Sequence, residues 1–195
     1  MNRKVEKVEI VSEREVNTYA EFWHTSYCLL KIQEEVEAGS FHLVMSSLVF
    51  TAFTLEAYFN HVGSKVFECW VDLERLGPRE KLNVIAEKLG IEVNYSCKPW
   101  QVVTKIFQFR NDIAHGKSFK IKATVLEDLK KFNKNPNHWA YRAETEWEKY
   151  CTLKNAHRAR EYVKEIVHIV HQAANFPGEY PFQLGLEYQD ATLQR

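Results

Sequence analysis

Apolar positions recur along this chain with a period near 3.6 residues, which predicts one amphipathic helix after another. Val16, Tyr19, Ala20, Trp23, Tyr27 and Leu30 share a face, so a first helix is expected from about Ser12 to Ala38. Ser12 and Glu15 have the spacing of a capping box, and Gly39 stops the pattern. A second stripe, Leu43, Val44, Leu48, Thr51, Leu55, Tyr58, Phe59, Val62 and Val66, predicts a helix from about Ser40 to Trp70. Gly77 and Pro78 mark a turn. Leu82, Ile85, Ala86 and Leu89 then form a short helical face closed by Gly90. After a connector from Ile91 to Lys98, Pro99 suits the first turn of a helix carrying Val103, Ile106, Phe107, Ile113 and Ala114.

Beyond Gly116, Lys117 to Lys122 (KSFKIK) reads as an extended basic loop. Thr124 and Glu127 suggest a second capping box opening a short helix to about Phe132, and Asn133 to Asn137 reads as a loop. A last long helix presents Tyr162, Ile166, Ile169, Val170 and Ala173 on one face and ends near Ala174, where Asn175 to Gly178 (NFPG) halts it. The short aromatic tail from Glu179 is expected to dock on the body or on a partner.

Seven glycines and five prolines in 195 residues fit an all-α protein. The expectation is a single domain, 1–195, built as an antiparallel up-and-down helical bundle, with its core at about 15–174 and a tail at 175–195. Twenty-six basic residues cancel 26 acidic ones, so overall charge gives no footprint of a nucleic-acid binder and any anion site must be local. Cys28, Cys69, Cys97 and Cys151 lie far apart with no CxxC pair, which fits reduced thiols and a cytoplasmic setting. The N-terminus alternates charges with aliphatics and does not read as a signal peptide. Leu43 to Phe59 is interrupted by serines, threonines and Glu56, so no membrane span is expected.

Chemistry concentrates in Arg110 to His115 (RNDIAH), followed by Gly116 and Lys117. On a wheel with Ile106 at zero, Val103 falls near 60°, Phe107 near 100°, Ile113 near −20° and Arg110 near 40°. The arginine thus sits within the apolar stripe, where an unpaired charge costs several kcal/mol and needs a partner or a task. Two readings follow. Arg110 pairs with a carboxylate such as Glu56 while His115 caps the helix, or the two carry out chemistry together. In an ideal helix His115 lies about 140° from Arg110, but Gly116 signals a helix end that frees the histidine to turn.

The stretch RNDIAHG resembles the Arg-x4-6-His signature of the HEPN family, with a polar residue directly after the arginine, and Thr54 to Asn60 (TLEAYFN) resembles the second-helix pattern of these domains. The resemblance spans roughly Glu15 to Ala174. It implies an up-and-down bundle, usually dimeric, and for many members metal-independent RNA cleavage by attack of a ribose 2′-hydroxyl on the adjacent phosphate. Such members often act as toxins or antiviral effectors. Other members are inactive modules that bind a partner protein or nucleotide. By that resemblance Arg110, Asn111 and His115 are the catalytic candidates, Glu56 supports them, and Lys117, Lys120 and Lys122 are placed to contact flanking phosphates. Imidazole suits proton transfer and guanidinium suits charge stabilisation on phosphorus. In a dimer two Arg–His pairs would meet at one cleft, and the apolar stripe around Arg110 would be the seam. The implied partners are an RNA substrate, a second copy of the chain and an antitoxin or other protein, with no cofactor. The last helix, with Trp139, Trp147, Arg158 and Arg160, has no counterpart in the resemblance.

Glu21 with His24 and Glu165 with His168, then His171, offer two ExxH pairs, the ingredients of a di-metal bundle. On their wheels both pairs point away from the apolar stripes, so no metal site is expected, and His168 and His171 are expected at the surface.

Overall fold

The computed structural model describes residues 7–36, 39–134 and 141–194. In chain order these form β1 (Lys7–Arg14), α1 (Thr18–Glu35), α2 (Ser40–Val66), α3 (Trp70–Leu73), α4 (Pro78–Leu89), α5 (Gln101–Ala114), α6 (Leu129–Lys134), α7 (Glu146–Tyr150), α8 (Leu153–Ala174) and β2 (Glu187–Gln194). The protein is mostly helical.

Its centre is α2, whose Leu48, Ala52, Leu55, Tyr58, Phe59 and Val62 are fully buried. This helix is long and apolar enough to cross a membrane by length and composition, yet these side chains form the middle of a protein core. Helix α1 packs against it antiparallel. Gln33 near the end of α1 bonds Ser40 at the start of α2 (3.0 Å), Ser47 donates to the Ser26 carbonyl (2.8 Å), and the rings of Tyr19 and Tyr58 lie 5.2 Å apart. Helices α5 and α8 supply Val103, Ile106, Val163, Ile166 and Val167 to the same core, and α4 adds Leu82 and Ile85. Burying a side chain of this kind stabilises by about 1.5–3 kcal/mol.

Several expected boundaries move, each for a local reason. Ser12 is not a helix cap, because residues 7–14 pair as a strand with 187–194, and α1 begins only at Thr18. The first helix ends at Glu35; the expected last residue, Ala38, lies outside the described residues. Helix α2 stops at Val66 rather than Trp70. The chain turns there and folds the Trp70 indole onto Gly63, where any Cβ would collide with the ring. Gly63→Ala is therefore expected to destabilise the fold by about 1–3 kcal/mol in urea unfolding, because overpacking outweighs the better helix propensity of alanine.

Thr124 does not cap the next helix. Asp128 does, its carboxylate accepting from the backbone of Lys130 (2.8 Å) and Lys131 (3.2 Å). Asn133 and Lys134, expected in a loop, belong to α6, and the rest of that loop, with Trp139, lies outside the described residues. Gly90 and Asn175, both left-handed, end α4 and α8 where the sequence predicts.

The tail docks on the body. Phe182 stacks on Trp23 (centroids 4.4 Å apart, planes 21°), and Glu179 bonds His61 (3.3 Å) and Lys65. Burial works against the ionised Glu179 carboxyl, but Lys65 and His61 outweigh it and hold its pKa below the usual range. His168 and His171 are consequently not free surface groups: the first lies edge-on to Phe182, and the second donates to the Glu179 carbonyl (3.1 Å).

Arg160, for which the sequence offered no role, ties α8 to α1. Its guanidinium lies 3.7 Å from the Trp23 ring centroid and donates to the Trp23 carbonyl (2.9 Å) and the Ser26 hydroxyl. Burial lowers its pKa to about 10. Arg160→Met keeps the length but loses the charged donors, and thermal unfolding should report a loss of about 2 kcal/mol.

Candidate active site at the end of α5

The exposed end of α5 is made by its own termination. Ala114 is the last helical residue, His115 caps with its N–H on the Asn111 carbonyl (2.9 Å), and Gly116 bonds Ile113 (3.4 Å). Glycine keeps this turn uncrowded, since a Cβ on Gly116 would stand 3.0 Å from the Asp112 carbonyl oxygen. The backbone then leaves the helix and runs without regular structure from Gly116 to Asp128.

This turn forms one wall of a cleft of about 970 Å³. Asn111, Asp112, His115 and Lys117 contribute polar groups, and Met45, Ile113, Phe119 and Ile121 contribute apolar ones. The facing wall is Thr145 to Glu148, the start of α7. A capping box holds that wall rigid: Thr145 Oγ1 accepts from the Glu148 N–H (3.2 Å), and the Glu148 carboxylate accepts from the Thr145 N–H (2.8 Å). Arg142 also bonds Glu148. The helical stripes do not point to this wall, although T-x-x-E from Thr145 is a legible capping signal.

The motif divides at this point. His115 is exposed and lines the cleft; Arg110 does not line it. Arg110 instead faces α2, where its Nη2 donates to Glu56 Oε2 at 2.6 Å. Arg110 and Glu56 side chains are 17% and 28% exposed, so water reaches the pair but does not surround it. The guanidinium also lies 5.6 Å from the Phe107 ring centroid, and its Nε is buried with no partner. The expected carboxylate partner is thus found. Of the apolar stripe around Arg110, Val103, Ile106 and Phe107 are buried in this protein's own core, whereas Ile113 is half-buried and Ala114 is exposed.

Of the three lysines, Lys117 lines the cleft, whereas Lys120 and Lys122 are exposed on the loop beyond it. Among the described residues no three histidine, cysteine, aspartate or glutamate side chains converge as a metal site, and Glu21, His24 and Glu165 are exposed. All four cysteines are free thiols. No family model matches the chain, and neither the curated proteins nor the solved structures include a significant match.

Proposed function

We propose that this chain is a HEPN-type endoribonuclease that cleaves RNA without metal, works as a homodimer, and serves as a toxin or antiviral effector. The observation that carries the reading is the end of α5: His115 and Asn111 open into a cleft beside Lys117, with Arg110 one turn back on the same helix. The Glu56 pairing supports the resemblance of the second helix as well, because the glutamate of TLEAYFN is the residue that holds the motif arginine.

In the proposed reaction a ribose 2′-oxygen attacks the adjacent phosphorus and the 5′-oxygen leaves. A 2′,3′-cyclic phosphate and a 5′-hydroxyl result. One imidazole takes the 2′-hydroxyl proton, and a second group returns a proton to the leaving oxygen. A two-fold partner would supply a second His115 at the same cleft, which is the reason for proposing the dimer. Asn111 and Lys117 hold phosphate oxygens, and Lys120 and Lys122 contact the flanking strand. Arg110 stabilises the phosphorane by exchanging Glu56 for phosphate.

A second reading is favoured by one observation, the closed Arg110–Glu56 pair. It makes the chain a silent HEPN-like dimer that binds a partner protein or nucleotide, with Arg110 as a clasp between α5 and α2. Incubation with single-stranded RNA in chelator separates the two. Cyclic-phosphate ends that vanish with Arg110→Ala support the nuclease; identical residual cleavage in wild type, Arg110→Ala and His115→Ala is contamination and leaves the silent module.

A further inference from the structure

The cleft at His115 does not end at Trp147. A second recess of about 290 Å³ continues from it, sharing Asp112, Glu146 and Trp147 and adding Lys105, Gln108 and Tyr150. A small third one shares Lys105 and Tyr150 and reaches Arg158 on α8. Together they follow the outer face of α5 from His115 back to Gln101, about 21 Å at 1.5 Å per residue. Cations punctuate this path at Lys117, Lys105 and Arg158, all exposed and none with an ion-pair partner among the described residues. Aromatic rings alternate with them: Phe119, Trp147 and Tyr150. Trp147 is backed by Phe41 and Tyr150 by Phe109, so both are held in place.

We propose that this groove, between α5 on one side and α7 and the start of α8 on the other, is a binding track for single-stranded RNA, with Trp147 and Tyr150 as stacking surfaces and Lys105 and Arg158 as phosphate-binding groups. It extends the nuclease reading and rests on it for the identity of the strand. Cations alternating with flat rings are what an unpaired strand requires, since each nucleotide presents a phosphate on one side and a π-face on the other. A duplex hides its bases and gains nothing from the rings. The acidic groups in the groove do not oppose this. Glu146 is paired with Lys149 (2.6 Å) and Glu148 is held by Thr145 and Arg142. Asp112 remains in the floor, where a carboxylate accepts from a base N–H. The length suits on the order of four nucleotides, the lower end of single-strand site sizes.

The test uses the whole protein and a fluorescent single-stranded RNA oligomer methylated at every 2′-oxygen, which cannot be cleaved by 2′-attack, with anisotropy as the readout. Lys105→Glu and Arg158→Glu should each weaken binding at least about tenfold and reduce the slope of log affinity against log salt by about 0.7 for each phosphate no longer held. Trp147→Leu should cost about tenfold, and a duplex of the same sequence should bind at least about tenfold more weakly. Lys105 and Arg158 are exposed, so their replacement leaves the fold intact even if Trp147→Leu does not. Failure of the wild type to bind, unchanged affinity in the charge reversals, or equal binding of the duplex would each overturn the track. Cleavage of unmodified RNA by the same proteins separates the two ideas. Variants that bind less beside an inactive wild type remove the nuclease and keep the track; active cleavage with unchanged affinity removes the track and keeps the nuclease.

Discussion

His115→Ala is expected to remove at least about 100-fold of the rate of RNA cleavage, the contribution typical of a positioned general acid or base. The same substitution should leave thermal stability within about 0.5 kcal/mol, as for other surface changes. The structural ground is that the His115 ring is exposed at the mouth of the cleft, and among the described residues its side chain makes no hydrogen bond. The cap at this point is a backbone interaction, N–H of residue 115 to the Asn111 carbonyl, which alanine preserves. The measurement is initial cleavage rate on single-stranded RNA in chelator, with a melting curve on the same preparation. An alanine variant that cleaves within about a factor of three of wild type would remove the imidazole from the mechanism.

What the sequence discloses here depends on how local the cause is. The period-3.6 stripes place α2, α4, α5 and α8, because the period comes from the geometry of each helix itself, whichever neighbour covers the stripe. Gly90 and Asn175 mark ends through their own backbone conformation. The motif arginine inside an apolar face called for a partner or a task, and Glu56 supplies the partner. Non-local causes stay hidden. Residues 7–14 carry a strand-like alternation, VEIVSE, but their ladder partner is at 187–194, the opposite end of the chain. Without that partner the segment reads as a polar helix start, which is how Ser12 and Glu15 acquire a false capping box.

The cleft is hidden for the same reason. His115 belongs to the end of α5, but the wall opposite it is set by α7, whose rigid start is the capping box of Thr145 and Glu148. The placement of that wall is fixed by packing of Trp147 on Phe41 and Tyr150 on Phe109. Nor does the wheel indicate that Arg110 and His115 face different neighbours. It gives their angular separation, whereas Glu56 on α2 decides where the guanidinium points.

Arg110→Lys is the substitution that decides what that separation means. Lysine keeps the positive charge and reaches Glu56 with a single ammonium, but it lacks the planar fork that binds two phosphate oxygens at once. If Arg110 leaves Glu56 to stabilise the phosphorane, Arg110→Lys should lose about 100-fold in cleavage, comparable to deleting one donor of an oxyanion site. Stability should fall by no more than about 1 kcal/mol, because the ion pair is retained and partly solvated. Glu56→Gln should behave in the opposite way. It leaves a partly buried guanidinium with a neutral acceptor and should cost about 1–3 kcal/mol, between the values for exposed and buried pairs. Cleavage should stay within about tenfold of wild type, since a released arginine reaches phosphate more readily. Melting curves and cleavage rates of both variants are the measurements. If Arg110→Lys instead cleaves as wild type, and Glu56→Gln affects only stability, the arginine is a clasp between α5 and α2 and takes no part in the chemistry.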